Sequence, residues 1–163
     1  MTYLIDSNVV MTAARLHYAF DLAPGFWQWI EAQHLAGELQ SIPKVKDEIT
    51  AGHDHLSKWA AALPATFWRP VTAPTITSGQ AVARWVSDPA LSYRQAARDE
   101  SLDVADSMLV AEAHASGLIV VSGEIAAPDA VKKVKLPDAC RALGVTYANP
   151  YDVYRALGLR LIV

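Results

Sequence analysis

The stretch Ala115-Ser116-Gly117-Leu118-Ile119-Val120-Val121-Ser122-Gly123-Glu124 decides how this chain folds. An amphipathic run ends at a glycine, four apolar residues follow, and the run closes on Ser-Gly-Glu. Glycine takes the left-handed conformation that stops a helix at little steric cost. The segment therefore reads as helix, glycine stop, short apolar strand. The same grammar recurs at Ala36-Gly37-Glu38-Leu39-Gln40-Ser41-Ile42 and at Ala142-Leu143-Gly144-Val145-Thr146-Tyr147. Helices that repeatedly feed short strands predict an α/β fold with a mostly parallel central sheet.

Working outward, strands are expected at residues 3–5, 40–42, 67–69, 118–121 and 146–148, a sheet of four or five strands. A helix is expected to start near Pro43. Asn149-Pro150 opens a last helix, with an asparagine cap and a proline whose missing N–H is harmless in the first turn; that helix stops near Gly158. Residues 71–101 hold Pro74, Gly79 and Pro89 among scattered apolar residues. They read as a loop with one or two short helices. No internal repeat or low-complexity tract interrupts the chain, and its 163 residues suit a single domain, 1–163.

Composition narrows the class. Hydrophobic residues make up 52% and charged residues 19%, enough to bury a sizeable core. No apolar run approaches the roughly 20 residues of a membrane helix. The amino-terminal residues lack the basic and long apolar regions of a signal peptide. Cys140 is the single cysteine, so it forms no internal disulfide and supports no cysteine-based zinc site. A cytoplasmic protein is the expectation. The net charge of −3 argues mildly against non-specific nucleic-acid binding. From Pro128 onward, however, the chain carries a net +3, so the first 127 residues carry −6. The basic end is either an ordinary solvated surface or a groove that follows phosphates.

The acids are the unusual feature. Ligands of open parallel sheets bind beyond the carboxyl ends of the strands. The first strand runs into Asp6, and the strand quoted above runs into Glu124, which places two acids at one sheet edge. Asp106 precedes Leu109, Val110 and Ala113 by three, four and seven residues, which puts it on the apolar stripe of its helix. Glu48, three residues after Val45 and beside Ile49, borders the apolar face of its own. Read singly, each acid has an ordinary explanation: Asp6 begins a turn, and Asp103 or Asp106 caps a helix, a favourable arrangement worth about 0.3–1 kcal/mol. Taken together, four partly buried acids at one edge repel unless they are protonated or bridged, and an unpaired buried carboxylate costs several kcal/mol. No matching set of Lys or Arg lies near; Lys44 and Lys46 come closest. A divalent cation is the economical partner, and all-oxygen ligands favour Mg²⁺ or Mn²⁺. Asp47 faces solvent in this reading. His53 and His55, two apart on a helix, point to different faces and make a poor metal pair.

These residues carry a resemblance. Tyr3-Leu4-Ile5-Asp6-Ser7-Asn8 resembles the first motif of the PIN-domain superfamily, a strand ending in Asp followed by Ser or Thr. Val45-Lys46-Asp47-Glu48-Ile49-Thr50-Ala51-Gly52 resembles the second, Asp106-Ser107-Met108-Leu109-Val110-Ala111-Glu112-Ala113 the third, and Val120-Val121-Ser122-Gly123-Glu124 the fourth. The order is right and the match covers most of the chain. Within the superfamily it is similar to VapC-like proteins, one branch of which has a similar Pro24-Gly25-Phe26-Trp27 stretch and a similar segment from Lys133 to Asp138. Two departures stand out: Glu124 sits where Asp or Asn is usual, and residues 71–101 are long.

The resemblance implies a three-layer α/β/α PIN-like fold and a metal-dependent endoribonuclease, the toxin of a toxin–antitoxin pair. Its catalytic and metal-binding residues would be Asp6, Glu48, Asp106 and Glu124, holding one or two Mg²⁺ or Mn²⁺ ions. Asn8 and Ser122 would support them by hydrogen bonds to a ligand or water. Asp103 is read as a cap rather than an extra ligand. Lys132, Lys133 and Lys135 would grip the RNA backbone. The expected partners are RNA, a cognate antitoxin and a second copy of the chain, with no membrane. Two alternatives stay open. One is a PIN-like binding module without catalysis. The other is a haloacid-dehalogenase-like phosphatase, whose motif requires a second Asp where this chain has Asn8.

Overall fold

The computed structural model describes residues 1–162. Four strands pair in the order β2-β1-β3-β4, all parallel. They are β1 (Tyr3–Ile5), β2 (Leu39–Gln40), β3 (Ile119–Val121) and β4 (Tyr147–Ala148). Helices cover the sheet, giving a three-layer α/β/α architecture; the parallel strands are those the glycine-stopped units predict. β1 and β3 pair side by side through Tyr3 with Ile119, Leu4 with Val120 and Ile5 with Val121. From β1 the chain first builds outward to β2, then returns to β3 on the other side. Strand order reverses between β1 and β3, and that switch point opens a crevice beyond the strands' carboxyl ends.

The helices that frame this crevice are α1 (Ser7–Thr12), α3 (Pro43–Thr50), α6 (Gln95–Asp103) and α7 (Ala105–Ser116). α7 ends as its sequence dictates: Gly117 adopts φ 66° and ψ 38°, and β3 follows at once. Its apolar stripe, Leu109, Val110 and Ala113, is buried in the core with Leu4 and Val120. Apart from these, α2 (Pro24–Leu35) and α9 (Pro150–Ala156) meet through aromatic rings, with Phe26 and Tyr154 centroids 5.4 Å apart. α4 (His55–Ala62) joins a further stack in which Phe20 lies 3.9 Å from Trp27 and 4.2 Å from His55. That stack gives His55 a structural role.

Two expectations need correction. Residues 67–69 form no strand. Ala65–Phe67 is a turn of 3₁₀ helix, and only a single parallel bridge joins Trp68 to Ser41. The sheet therefore stops at four strands. Residues 71–101 are not mainly loop either. They contain α5 (Ala73–Val86), fourteen residues long, and the start of α6. Pro74 lies in the first turn, where proline is harmless, and Thr72 caps the helix in a reciprocal box with Thr75. The buried face of α5 is Thr75, Ser78, Val82 and Val86. Half of it is polar, so its helical period does not show as an apolar pattern. A Cβ on Gly79 would stand 3.9 Å from that of Ala111, so α5 lies close against α7.

Among the described residues no helix is long and apolar enough to cross a membrane.

Candidate functional site

Four elements each bring one of the predicted acids to the crevice. Asp6 follows β1, Glu48 stands on α3, Asp106 lies in the first turn of α7, and Glu124 comes just after β3. All four line one cavity of about 350 Å³, with Ser7, Asn8 and Lys133 also on its walls. α6 contributes Glu100 to the rim. Glu100 was not anticipated as a site residue, because the reading of residues 71–101 as loop with one or two short helices placed no helix there in particular.

Each carboxylate is held differently. Asp6 is only 3% exposed. Its Oδ2 accepts from the Ser122 hydroxyl at 3.2 Å and its Oδ1 from the Ser7 hydroxyl at 3.3 Å. Glu48 Oε2 accepts from Ser7 as well, at 2.7 Å, so one hydroxyl bridges two acids. Glu48 Oε1 accepts the backbone N–H of Ala105 at 3.1 Å. The residue before α7 is Val104, which has no polar side chain to cap it. Glu48 supplies from another helix what a capping residue supplies locally. Asp103, expected as a cap, is instead the exposed last residue of α6.

Glu124 makes internal partners. Its Oε2 accepts the Leu136 N–H at 2.9 Å, and its Oε1 pairs with Lys133 Nζ at 3.2 Å and Lys135 Nζ at 3.9 Å. Ser122 Oγ accepts the Glu124 N–H at 3.1 Å. Ser122 thus links two of the acids, the supporting place expected for it. Asn8 is exposed on the cavity wall, and its Oδ1 accepts from Thr12 rather than holding an acid. Lys132 is exposed, and Lys133 and Lys135 turn towards Glu124. Ser7 was not anticipated. Its only signal was its place between Asp6 and Asn8 in the first motif.

Asp106 has no hydrogen-bond partner among the described residues. Burial pushes its carboxyl up to about 7, and the charges of Asp6, Glu124 and Glu48 add to that, with Lys133 opposing. Burial also pushes Asp6 up to about 6, against hydrogen bonds from the Asn8 backbone and Ser122, with Glu124 and Glu48 raising it further. Burial alone would lower the Lys133 ammonium, but the charges of Glu124, Asp106 and Glu100 hold it above its ordinary value. The cavity is thus a site of excess negative charge, only partly balanced by Lys133 and Lys135 at Glu124.

Among the described residues no three of these side chains stand close enough to be ligands of one metal ion as they lie. Two of the four are turned aside by other partners: Glu48 by Ser7 and Ala105, Glu124 by Lys133 and Leu136. The donors nonetheless fit a hard divalent cation in kind. They are oxygens, and burial first, with neighbouring carboxylates adding to it, raises the proton affinity of Asp6 and Asp106.

A second buried acid lies outside the crevice. The Glu112 side chain, 3% exposed, pairs with Arg69 Nε at 2.7 Å and accepts from Thr75 and Ser116. Burial would raise its pKa, but these hydrogen bonds and the guanidinium lower it. Glu112 is fully partnered, which separates it from the crevice acids.

The fold and site define an α/β/α protein with an acidic crevice at the switch point of a parallel sheet. Residues 3–161 match the family described as "Domain of unknown function (DUF4411)", and the chain belongs to that family. Comparisons with curated proteins and with solved structures found no match.

Proposed function

We propose that this protein is a metal-dependent endoribonuclease that hydrolyses RNA phosphodiester bonds. One observation carries the reading: four acids from four separate elements face a single cleft, where burial first and neighbouring carboxylates second make Asp6 and Asp106 hold their protons more tightly than usual, a cost that a divalent cation would relieve. The resemblance of the four acidic motifs to those of PIN domains points the same way.

Asp6 and Asp106 would hold the ion, with Glu48 and Glu124 joining directly or through water. Bound Mg²⁺ or Mn²⁺ would neutralise phosphate charge and supply hydroxide near neutral pH. The chain's own part is to fix the donors. Ser7 and Ser122 orient Asp6, Ser7 ties Glu48 to it, and Glu48 anchors the first turn of α7 and with it Asp106. Lys133 balances Glu124 and, with Lys132 and Lys135, meets the RNA backbone once that acid has another partner. A cognate antitoxin and a homodimer belong to this reading as partners, and a cytoplasmic setting goes with it.

A second reading is a binding module with no catalysis. It is favoured by the ion pair of Lys133 with Glu124, which leaves one acid already neutralised. Purified protein on mixed RNA, with Mn²⁺, Mg²⁺ or chelator, separates the two. Cleavage that needs the metal and disappears in Asp6→Asn supports the nuclease. Binding without cleavage under every metal condition refutes it.

A further inference from the structure

Beside the acidic cleft lies a second cavity, of about 220 Å³. The two share one residue, Asn8, and Gly123, the neighbour of Glu124, lies on the wall of the second. The two cavities are therefore neighbours at the carboxyl edge of the sheet, with Asn8 on the wall of both. Their chemistry differs sharply. The first is lined by carboxylates, whereas the second contains no acid or lysine and is walled by His17, Tyr18, Tyr151 and Tyr154.

The local backbone builds this wall. After α1 the chain widens into a π-helical turn, Ala13–His17, closed by the Tyr18 N–H donating to the Ala13 carbonyl. Such turns are rare and concentrate at functional sites. Tyr18 is then fixed from behind: its ring stacks on Phe26 at 4.4 Å, and its carbonyl accepts from Trp27 Nε1 at 2.8 Å. Tyr151 lies across from it on α9, 42% exposed, in edge contact with His17 at 6.2 Å and Tyr154 at 5.7 Å. Two side-chain amides, Asn8 and Asn149, also line it. Asn8 Oδ1 accepts from Thr12 and Asn149 Oδ1 accepts from the Tyr151 N–H, which leaves the NH₂ of each without a protein acceptor among the described residues.

We propose that this cavity is a nucleobase subsite. It takes one base with ring carbonyl oxygens from the nucleotide next to the phosphodiester presented to the acids. The aromatic wall offers the stacking that every base accepts, and the two amides donate to carbonyl oxygens. Its volume suits one base rather than a drug-sized ligand, whose pockets begin at about 300 Å³. The wall shared at Asn8 sets the adjoining phosphate on the side of the acids. The inference rests on the nuclease reading for its substrate, but the first arm of its test does not.

Uridine, which carries no phosphate, is titrated into the full chain while backbone amide resonances are followed by NMR. Saturable shifts at Ala13, Tyr18 and Tyr151 are expected, with affinity roughly tenfold weaker in Tyr151→Ala. The second arm uses single-stranded RNA with one abasic position moved along the strand. An abasic position next to the cut is expected to lower cleavage roughly tenfold in the unsubstituted protein and far less in Tyr151→Ala. Uridine that shifts none of these amides, or an abasic penalty equal in both proteins, overturns the subsite. If no RNA is cut but uridine still shifts them, the nuclease reading falls and the subsite stands.

Discussion

Replacing Asp106 with Asn should make the metal-free protein more stable, although it removes a residue assigned to the site. The magnitude follows from the crevice. A carboxyl that titrates at about 7 in the fold, against an ordinary 3.8, binds its proton more tightly when folded. Stability therefore falls as pH rises from about 4 through 7, because the unfolded chain loses that proton first. Well above pH 7 the ionised group costs the folded state on the order of 4 kcal/mol. Asn keeps the shape and removes the charge, but it still buries a polar amide. A gain of about 2 kcal/mol at pH 8 in chelator is expected, or about 4–8 °C in Tm for a chain of this size. Urea unfolding at pH 5 and pH 8 measures it. At pH 5, where Asp106 is protonated, the two proteins should be nearly equal. Excess Mn²⁺ at pH 8 should reverse the order, since at a hundred times its Kd an ion adds about 2.7 kcal/mol to the protein that binds it. An Asn variant less stable than the parent at pH 8 in chelator refutes the claim that the buried Asp106 carboxylate destabilises the metal-free fold.

Three other outcomes follow from named contacts. Lys133→Met removes the cation paired with Glu124 at 3.2 Å, so Mn²⁺ affinity measured by calorimetry should rise severalfold; weaker binding would mean that Lys133 supports the site instead of competing for it. Arg69→Met strands the buried Glu112 carboxylate and should cost about 3–5 kcal/mol in urea unfolding at pH 7. Because Glu112 is held below its ordinary pKa, its pairing stabilises the protein above that value and is lost as pH falls through the folded pKa, so the variant should also show a flatter acid limb. Gly117→Ala forces a left-handed φ of 66° on a residue with a Cβ and should cost about 1–2 kcal/mol, read as a lower urea midpoint.

What was legible in the sequence came from local rules. Gly117 and Gly144 both stop helices ahead of strands, because left-handed turns leave an unambiguous residue. Asp6, Glu48, Asp106 and Glu124 were legible as a set because each interrupts an apolar pattern at a strand end or helix face. The rest depended on tertiary partners. The polar half of the buried face of α5 is satisfied by residues of α7, Thr75 by Glu112 and Ser78 by His114, and nothing nearby in sequence announces that. The fifth strand failed because only Trp68 reaches a bridge with Ser41. Ser7 as the hydroxyl shared by two acids, and Glu48 as the remote cap of α7, require contacts across 41 and 57 residues. Lys132, Lys133 and Lys135 were expected to grip RNA beside Glu124; that Lys133 pairs with the acid itself depends on how the loop after β3 folds back.

The central claim is that these acids share a cleft because a divalent cation belongs among them. Titration of Mn²⁺ into the metal-free protein at pH 8, followed by the loss of the free-ion electron paramagnetic resonance signal, tests it most directly. The account predicts saturable uptake of one or two ions per chain, abolished in Asp6→Asn and Asp106→Asn. Uptake that is absent at millimolar Mn²⁺, or unchanged by both substitutions, would contradict it.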